Sequence, residues 1–222
     1  MPADTFAAAS VATRRALACP GRLARVIVPV PPHLRDHPDR RRWNARYRDA
    51  PPPEFEPHPL VTDTVVAGIP ARPVLELACG RSGSALALAA SGREVLAVDV
   101  SDLALSQLET EAERRGLAAR TTVVAADVPT YRPGRERFAL VLATHYWDEA
   151  AFGSGCGAVI DGGLIAWEAL VRRPGVDPAS ARPWEIAPGG LSARLPPGFD
   201  VLDERTIDVD GRQSTRLLAR KG

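Results

Sequence analysis

Glu76-Leu77-Ala78-Cys79-Gly80-Arg81-Ser82-Gly83 is the first stretch whose residue types and spacing suit chemistry. Small residues let a ligand approach the backbone, and a helix opening at Gly83 would offer its free N–H groups. Such a loop takes either the pyrophosphate of a dinucleotide or the carboxylate end of S-adenosylmethionine. Ala78-x-Gly80-x-x-Gly83 approximates the dinucleotide fingerprint, so spacing alone leaves both open. Glu76 separates them: a carboxylate at the mouth of the loop repels a pyrophosphate but attracts a cationic ammonium. Its plainer reading is a partner for the helix dipole.

Two further acids follow at regular intervals. Asp99, in Ala97-Val98-Asp99-Val100-Ser101, stands where an acid accepts both hydroxyls of a ribose, in either cofactor class. Asp127, in Ala125-Ala126-Asp127-Val128, stands where a carboxylate accepts from an adenine amino group, with Val100 and Val128 flanking the ring. Three acids at the carboxyl ends of three consecutive strands make a stronger case than any one alone, because open α/β sheets bind ligands there. Beyond the next strand, Thr144-His145-Tyr146-Trp147-Asp148 carries a histidine suited to general-base work near neutral pH. A hydrogen-bonded histidine in the wall of a substrate site is the competing reading. Trp43, Tyr47, Tyr146 and Trp147 can form an aromatic pocket that favours a cation, or can anchor the core. Arg46 can reach a carboxylate.

These residues need a scaffold that brings strand ends together. Val74–Leu77, Glu94–Val98, Thr121–Ala126, Phe138–Ala143 and Leu164–Trp167 read as strands, separated by helices over Ser84–Ala90, Asp102–Arg115 (capped by Ser101) and about Asp148–Ile160. Helices fit Leu60–Ile69 and the Arg40–Tyr47 stretch as well. That alternation means right-handed crossovers and a parallel sheet. Phe199–Asp208 and Ser214–Ala219 are joined by only five residues, too few for a crossover helix, so they must pair as an antiparallel hairpin. Proline clusters at 29–32 and 51–59 read as extended connectors. The expected fold is therefore α/β: a Rossmann-like, mostly parallel seven-stranded sheet with helices on both faces and a C-terminal antiparallel hairpin.

The 222 residues suffice for one such domain, and 45% hydrophobic with 25% charged residues is ordinary for a globular chain. No apolar run reaches the roughly 18 residues that span a bilayer. Net charge is +1, yet the first fifty residues carry ten arginines against four aspartates. A basic end can contact nucleic acid. Arginine supplies all but one of the 28 basic residues, which favours a coding bias instead. Cys19, Cys79 and Cys156 form no CxxC pair, so neither a disulfide framework nor a metal site is expected, and a reducing cytoplasm fits best.

The series Val74–Gly83, Ala97–Ser101, Ala125–Val128 and Phe138–Thr144, closed by the hairpin, resembles a class I S-adenosylmethionine-dependent methyltransferase. Trp43-Asn44-Ala45-Arg46-Tyr47 is similar to the N-terminal motif of the small bacterial branch related to tellurite-resistance and thiopurine methyltransferases, where this segment folds over the cofactor as a lid. The resemblance implies that Glu76, Ala78, Cys79, Gly80 and Gly83 hold the methionine part. It gives Asp99 the ribose and Asp127 with Val128 the adenine, with Val100 on the other side of the ring, and places Thr144 beside the methyl group. Ala78 and Ser82 stand where the family commonly has Gly. The implied product is S-adenosylhomocysteine, and the implied layout is an N-terminal extension (1–38), a lid and linker (39–59) and a methyltransferase domain (60–222). The expected partner is a small-molecule O, S, N or chalcogen acceptor, with neither nucleic acid nor membrane, for a monomer or homodimer. No Asn/Asp-Pro-Pro-Tyr/Phe sequence follows the fourth strand, as adenine N-methylation would need, and no Pro-Cys nucleophile suits C5-pyrimidine methylation. The alternatives are an NAD(P)-dependent oxidoreductase and a non-catalytic or RNA-binding protein on the same fold.

Overall fold

The structure, a computed structural model, describes residues 28–172, 182–209 and 211–222. Most of the N-terminal extension, with Cys19, lies outside the described residues. Among the described residues five α-helices, α1 (Pro38–Asp49), α2 (Pro59–Ala67), α3 (Gly83–Ala90), α4 (Asp102–Arg114) and α5 (Glu149–Ala158), accompany the strands of one sheet. The strands are β1 (Val74–Leu77), β2 (Val95–Asp99), β3 (Thr121–Ala125), β4 (Phe138–Ala143), β5 (Val159–Val171), β6 (Glu185–Ile186), β7 (Phe199–Val209) and β8 (Arg212–Lys221).

Their order is β3-β2-β1-β4-β5-β8-β7. The first five are parallel, whereas β8 runs antiparallel to both β5 and β7. The two-residue β6 adds a short parallel pairing on β5 to the seven expected strands. The largest departure from the expected boundaries lies where α5 meets β5, read as Leu164–Trp167 but extending from Val159 to Val171. The helix expected to reach Ile160 stops at Ala158, and β5 starts at Val159 and continues through Gly162-Gly163, which the sequence suggested as a break. A register irregularity between Phe138 and Leu140 absorbs those glycines, so the strand bends rather than ends.

Side chains alternate across β1 to build both layers. Val74 packs with Leu60, Leu86, Leu105 and Leu108, on the side of α2, α3 and α4. Leu75 and Leu77 point the other way, onto Phe152 and Cys156 of α5 and onto Trp167. This pleat puts Glu76 on the same face as Val74, wholly buried one residue from the strand end. Leu77 pairs with both Val98 and Ala143, and Ala143 with Trp167. The residues just beyond these partners, Asp99, Thr144 and Glu168, therefore emerge on one level. That level borders the gap between β1 and β4, where the strand order reverses direction.

Candidate functional site

The loop after β1 is built on two backbone requirements. Ala78 adopts φ +49° and Gly80 φ +54°, left-handed conformations that turn the chain off the strand. Alanine tolerates this region at a cost of about 1–2 kcal/mol, which the packed loop must offset. A Cβ at Gly80 would lie 2.6 Å from the Tyr47 hydroxyl, and one at Gly83 would lie 2.3 Å from the Glu56 carbonyl. Tyr47 is a flexible side chain and can yield, but the Glu56 backbone cannot. Only glycine at 83 lets the 51–59 segment, read as a mere connector, dock on the start of α3.

Ser82, where the family commonly has glycine, has work of its own. Its Oγ accepts from Ala85 N and caps α3, and its hydroxyl donates to the Glu76 carboxylate, with contacts of 2.8 and 2.7 Å to the two oxygens. Losing a cap of this kind costs about 1–2 kcal/mol. Ser82→Ala is therefore expected to lower Tm by roughly 2–8 °C in calorimetric unfolding.

Asp99 is also buried, and its two oxygens accept from Gly80 N (2.8 Å) and Ser101 N (2.7 Å). Burial pushes Glu76 up to about 8, with the Ser82 hydrogen bond opposing and the Asp99 charge adding. Burial likewise raises Asp99 to about 6 against its backbone hydrogen bonds. The Cys79 thiol beside them is pushed well up by burial and by both carboxylates. No basic side chain pairs with Glu76 or Asp99 among the described residues. The strand ends are thus short of positive charge, which is the complement an ammonium or sulfonium supplies and a pyrophosphate does not.

Helix α1 is fastened over this region although none of its residues is buried. Asn44 donates to Asp102 (2.8 Å) and accepts from the Ser101 hydroxyl (2.7 Å), and Arg40 Nε donates to Asp102 (2.7 Å). Burial raises the Asp102 carboxyl, but these donors more than reverse it. Trp43 stacks on Tyr47 at 5.7 Å, Arg46 lies over Trp43, and Arg81 lies over Tyr47. Tyr146 and Trp147 instead pack into the core with Trp167 and Phe152. The four aromatics therefore form two separate groups. Because Asn44 ties the exposed α1 to α4 by hydrogen bonds and fills no core position, Asn44→Ala is expected to weaken ligand binding at the strand ends about tenfold while moving Tm by less than about 2 °C. Calorimetric titration and unfolding check the two halves.

A cavity of about 300 Å³ brings together Glu76, Cys79, Gly83, Thr144 and His145 from the residues singled out by sequence. It adds Arg81, Ser84 and the 56–59 segment. Asp99, Val100, Asp127 and Val128 stand at the neighbouring strand ends without lining it. Val128 is buried, and Asp127 accepts from Thr130 (2.8 Å) with His37 at 3.8 Å. A second cavity of about 620 Å³ lies between α1, Pro51–Pro53 and α4, lined by Asn44, Tyr47, Asp102 and Leu103.

Beside the smaller cavity stands a group the sequence reading missed. Glu168 accepts from Ser214 (2.5 Å) and Arg216 (2.7 Å) and lies 2.6 Å from His58 Nε2 and 3.3 Å from His145 Nδ1. Burial raises its carboxyl, yet hydrogen bonds from His145, His58 and Ser214 hold it far below the usual carboxylate range. His58 was hidden in a proline cluster, and Glu168 lay one residue past an apparently apolar strand. The signal for Glu168 was its position, one residue beyond Trp167 and so level with the ends of β1, β2 and β4.

Comparison with known proteins agrees with this arrangement. Residues 74–159 match the family model described as a methyltransferase domain. No curated protein matches the chain. Among solved structures, a protein described under conversion of a disulfide bond into a thioacetal group during echinomycin biosynthesis is 22% identical, covering 82% of this chain and 93% of its own, with TM-score 0.62. TehB from Haemophilus influenzae is 17% identical over 74% of this chain and 62% of its own, with TM-score 0.63. Magnesium protoporphyrin IX methyltransferase from Synechocystis PCC 6803, solved with bound SAM, is 14% identical over 74% of this chain and 77% of its own, with TM-score 0.59. No helix among the described residues is long and apolar enough to cross a membrane. Residues 74–159 are thus similar to a methyltransferase domain, and the Rossmann-like sheet with its terminal hairpin is the fold these solved structures share.

Proposed function

We propose that the protein transfers a methyl group from S-adenosylmethionine to a small-molecule O, S, N or chalcogen acceptor bound in the cavity between Glu76 and His145. The observation that carries this reading is the pair of buried carboxylates, Glu76 and Asp99, at adjacent strand ends with no basic partner. When bound, the donor supplies an electrophilic methyl on a cationic sulfur. Glu76 holds the ammonium of the methionine part, Arg81 on the same cavity wall takes its carboxylate, and Ala78, Cys79, Gly80 and Gly83 leave the backbone open to it. Asp99 accepts the ribose hydroxyls, Asp127 accepts from the adenine amino group, and Val100 and Val128 flank the ring. Thr144 borders the methyl, and α1 with Trp43, Arg46 and Tyr47 covers the donor as a lid. Tyr146 and Trp147 brace the acceptor side from the core. A cavity of about 300 Å³ suits a small acceptor.

Incubating the full chain with S-adenosylmethionine and a panel of small thiols, phenols, amines and selenide, and measuring S-adenosylhomocysteine by mass spectrometry, tests this. Acceptor-dependent product is expected. Product only with RNA, or none with bound donor, contradicts the small-acceptor reading.

A further inference from the structure

Two histidines share one carboxylate beside the acceptor cavity, but they are not equivalent. His58 Nδ1 accepts from Leu60 N (3.2 Å), capping α2, and Nε2 points at Glu168 Oε2 (2.6 Å). Both its nitrogens are spent: Nδ1 must carry the lone pair and Nε2 the proton. His145 directs Nδ1 at Glu168 Oε1 (3.3 Å), and its Nε2 has no partner among the described residues. Its side chain is 62% exposed and lines the cavity with Thr144 and Glu76. With the proton held on Nδ1 by Glu168, Nε2 presents a lone pair to whatever occupies the cavity.

The surroundings hold that ring in place. His145 adopts φ +54°, a left-handed conformation unusual for a residue with a side chain, right at the end of β4. The next residue locks the turn from both sides. Tyr146 N donates to the Glu168 carbonyl (3.1 Å), and the Trp167 indole donates to the Tyr146 carbonyl (2.7 Å). Glu168 is 1% exposed and fixed by Ser214 and Arg216 from β8. The three side chains lie within 4.8 Å, close enough to attract a cation. Arg216, however, already occupies Oε2 and comes within 3.4 Å of His58 Nε2, and Ser214 holds Oε1. A metal would have to displace one of these donors and sit against a guanidinium.

We propose that His145 is the general base of the reaction, that Glu168 is its positioning residue, and that the acceptor is a nucleophile still carrying its proton at neutral pH. This rests on the methyl-transfer reading above. The acceptor's X–H bond breaks with its proton passing to His145 Nε2, and the freed lone pair forms the bond to the methyl carbon. The electron pair of the broken carbon–sulfur bond stays on sulfur, leaving neutral S-adenosylhomocysteine and an imidazolium. An acceptor that is already an anion gains nothing from this apparatus.

The test uses the full chain and its His145→Asn variant, since asparagine tolerates a left-handed φ and leaves Glu168 with Ser214 and Arg216. Titration calorimetry with S-adenosylmethionine comes first; absence of binding sinks the methyltransferase reading itself, whereas binding leaves the base proposal to the next two measurements. Long-range proton–nitrogen NMR of histidine-labelled protein should show neutral His145 protonated at Nδ1 and His58 at Nε2. Transfer to 2-mercaptoethanol, a thiol at neutral pH, should fall about 100-fold or more in His145→Asn. Transfer to 4-nitrothiophenol, already a thiolate, should fall less than about threefold. Neutral His145 protonated at Nε2, equal losses for both probes, no transfer to either with the donor bound, or loss to a chelator with recovery on adding zinc overturns the proposal.

Discussion

Glu76→Gln is expected to make the free protein more resistant to unfolding at pH 8 while weakening S-adenosylmethionine binding by about 10- to 150-fold. The two effects share one cause. Glu76 is raised by burial to about 8 and Asp99 to about 6, both above their values in an unfolded chain. A carboxyl with a raised folded-state value binds its proton more tightly when folded. Its contribution to stability is therefore intact below the unfolded value and is lost as pH rises through the folded one. The free protein should lose stability between about pH 4.5 and 8, at about 1.4 kcal/mol for each unit of displacement. Ser82, Asp99 and the Ala85 backbone N–H are the groups facing Glu76, and none supplies a positive charge. Glutamine keeps the shape and removes the titration, so much of this slope should vanish. A charge-assisted hydrogen bond to an ammonium is worth about 1.5–3 kcal/mol, which sets the loss in affinity. In the parent protein the donor's cation should draw the proton off Glu76, so binding below pH 8 should release protons. Titration calorimetry in buffers of different ionisation enthalpy counts them, and proton uptake would contradict the role given to Glu76.

Asp99→Ala carries the second large effect. Removing the carboxylate deletes the acceptor for the ribose hydroxyls and strands Gly80 N and Ser101 N without their partners. Loss of the ribose contacts alone should weaken binding by about 2 kcal/mol or more, roughly 30-fold. The two orphaned N–H groups should also lower Tm in the absence of ligand. Asp99→Asn separates the effects: it preserves volume, so a binding loss there with a smaller change in Tm isolates the acceptor role. Unchanged affinity in both variants would remove Asp99 from the donor site.

Much of this was written in local patterns. The short apolar runs at 74–77 and 138–143 read as buried strands, and Ser101 marks the start of α4. The five-residue link before Ser214 left no alternative to a hairpin. The acids were readable because an acid ending an apolar strand is conspicuous. His58, Glu168 and Arg216 were not, because what unites them is tertiary. Residues 58, 168 and 216 meet only after β5 pairs with β8 and the proline segment docks on α3. Gly83 allows that docking through a contact no sequence pattern announces. Asn44 lies within the Trp43–Tyr47 motif, yet its bonds to Ser101 and Asp102 depend on how α1 folds back across α4.

Thermal unfolding of the full chain with and without S-adenosylmethionine, using NAD as the parallel ligand, tests the central claim most directly. At about a hundred times its dissociation constant a ligand stabilises by roughly 2.7 kcal/mol. For a chain of this length that is a Tm increase on the order of 5–10 °C. The account predicts that increase with S-adenosylmethionine and none with NAD. An increase with NAD alone would mean that the buried carboxylates at the ends of β1 and β2 tolerate a pyrophosphate, and would contradict it.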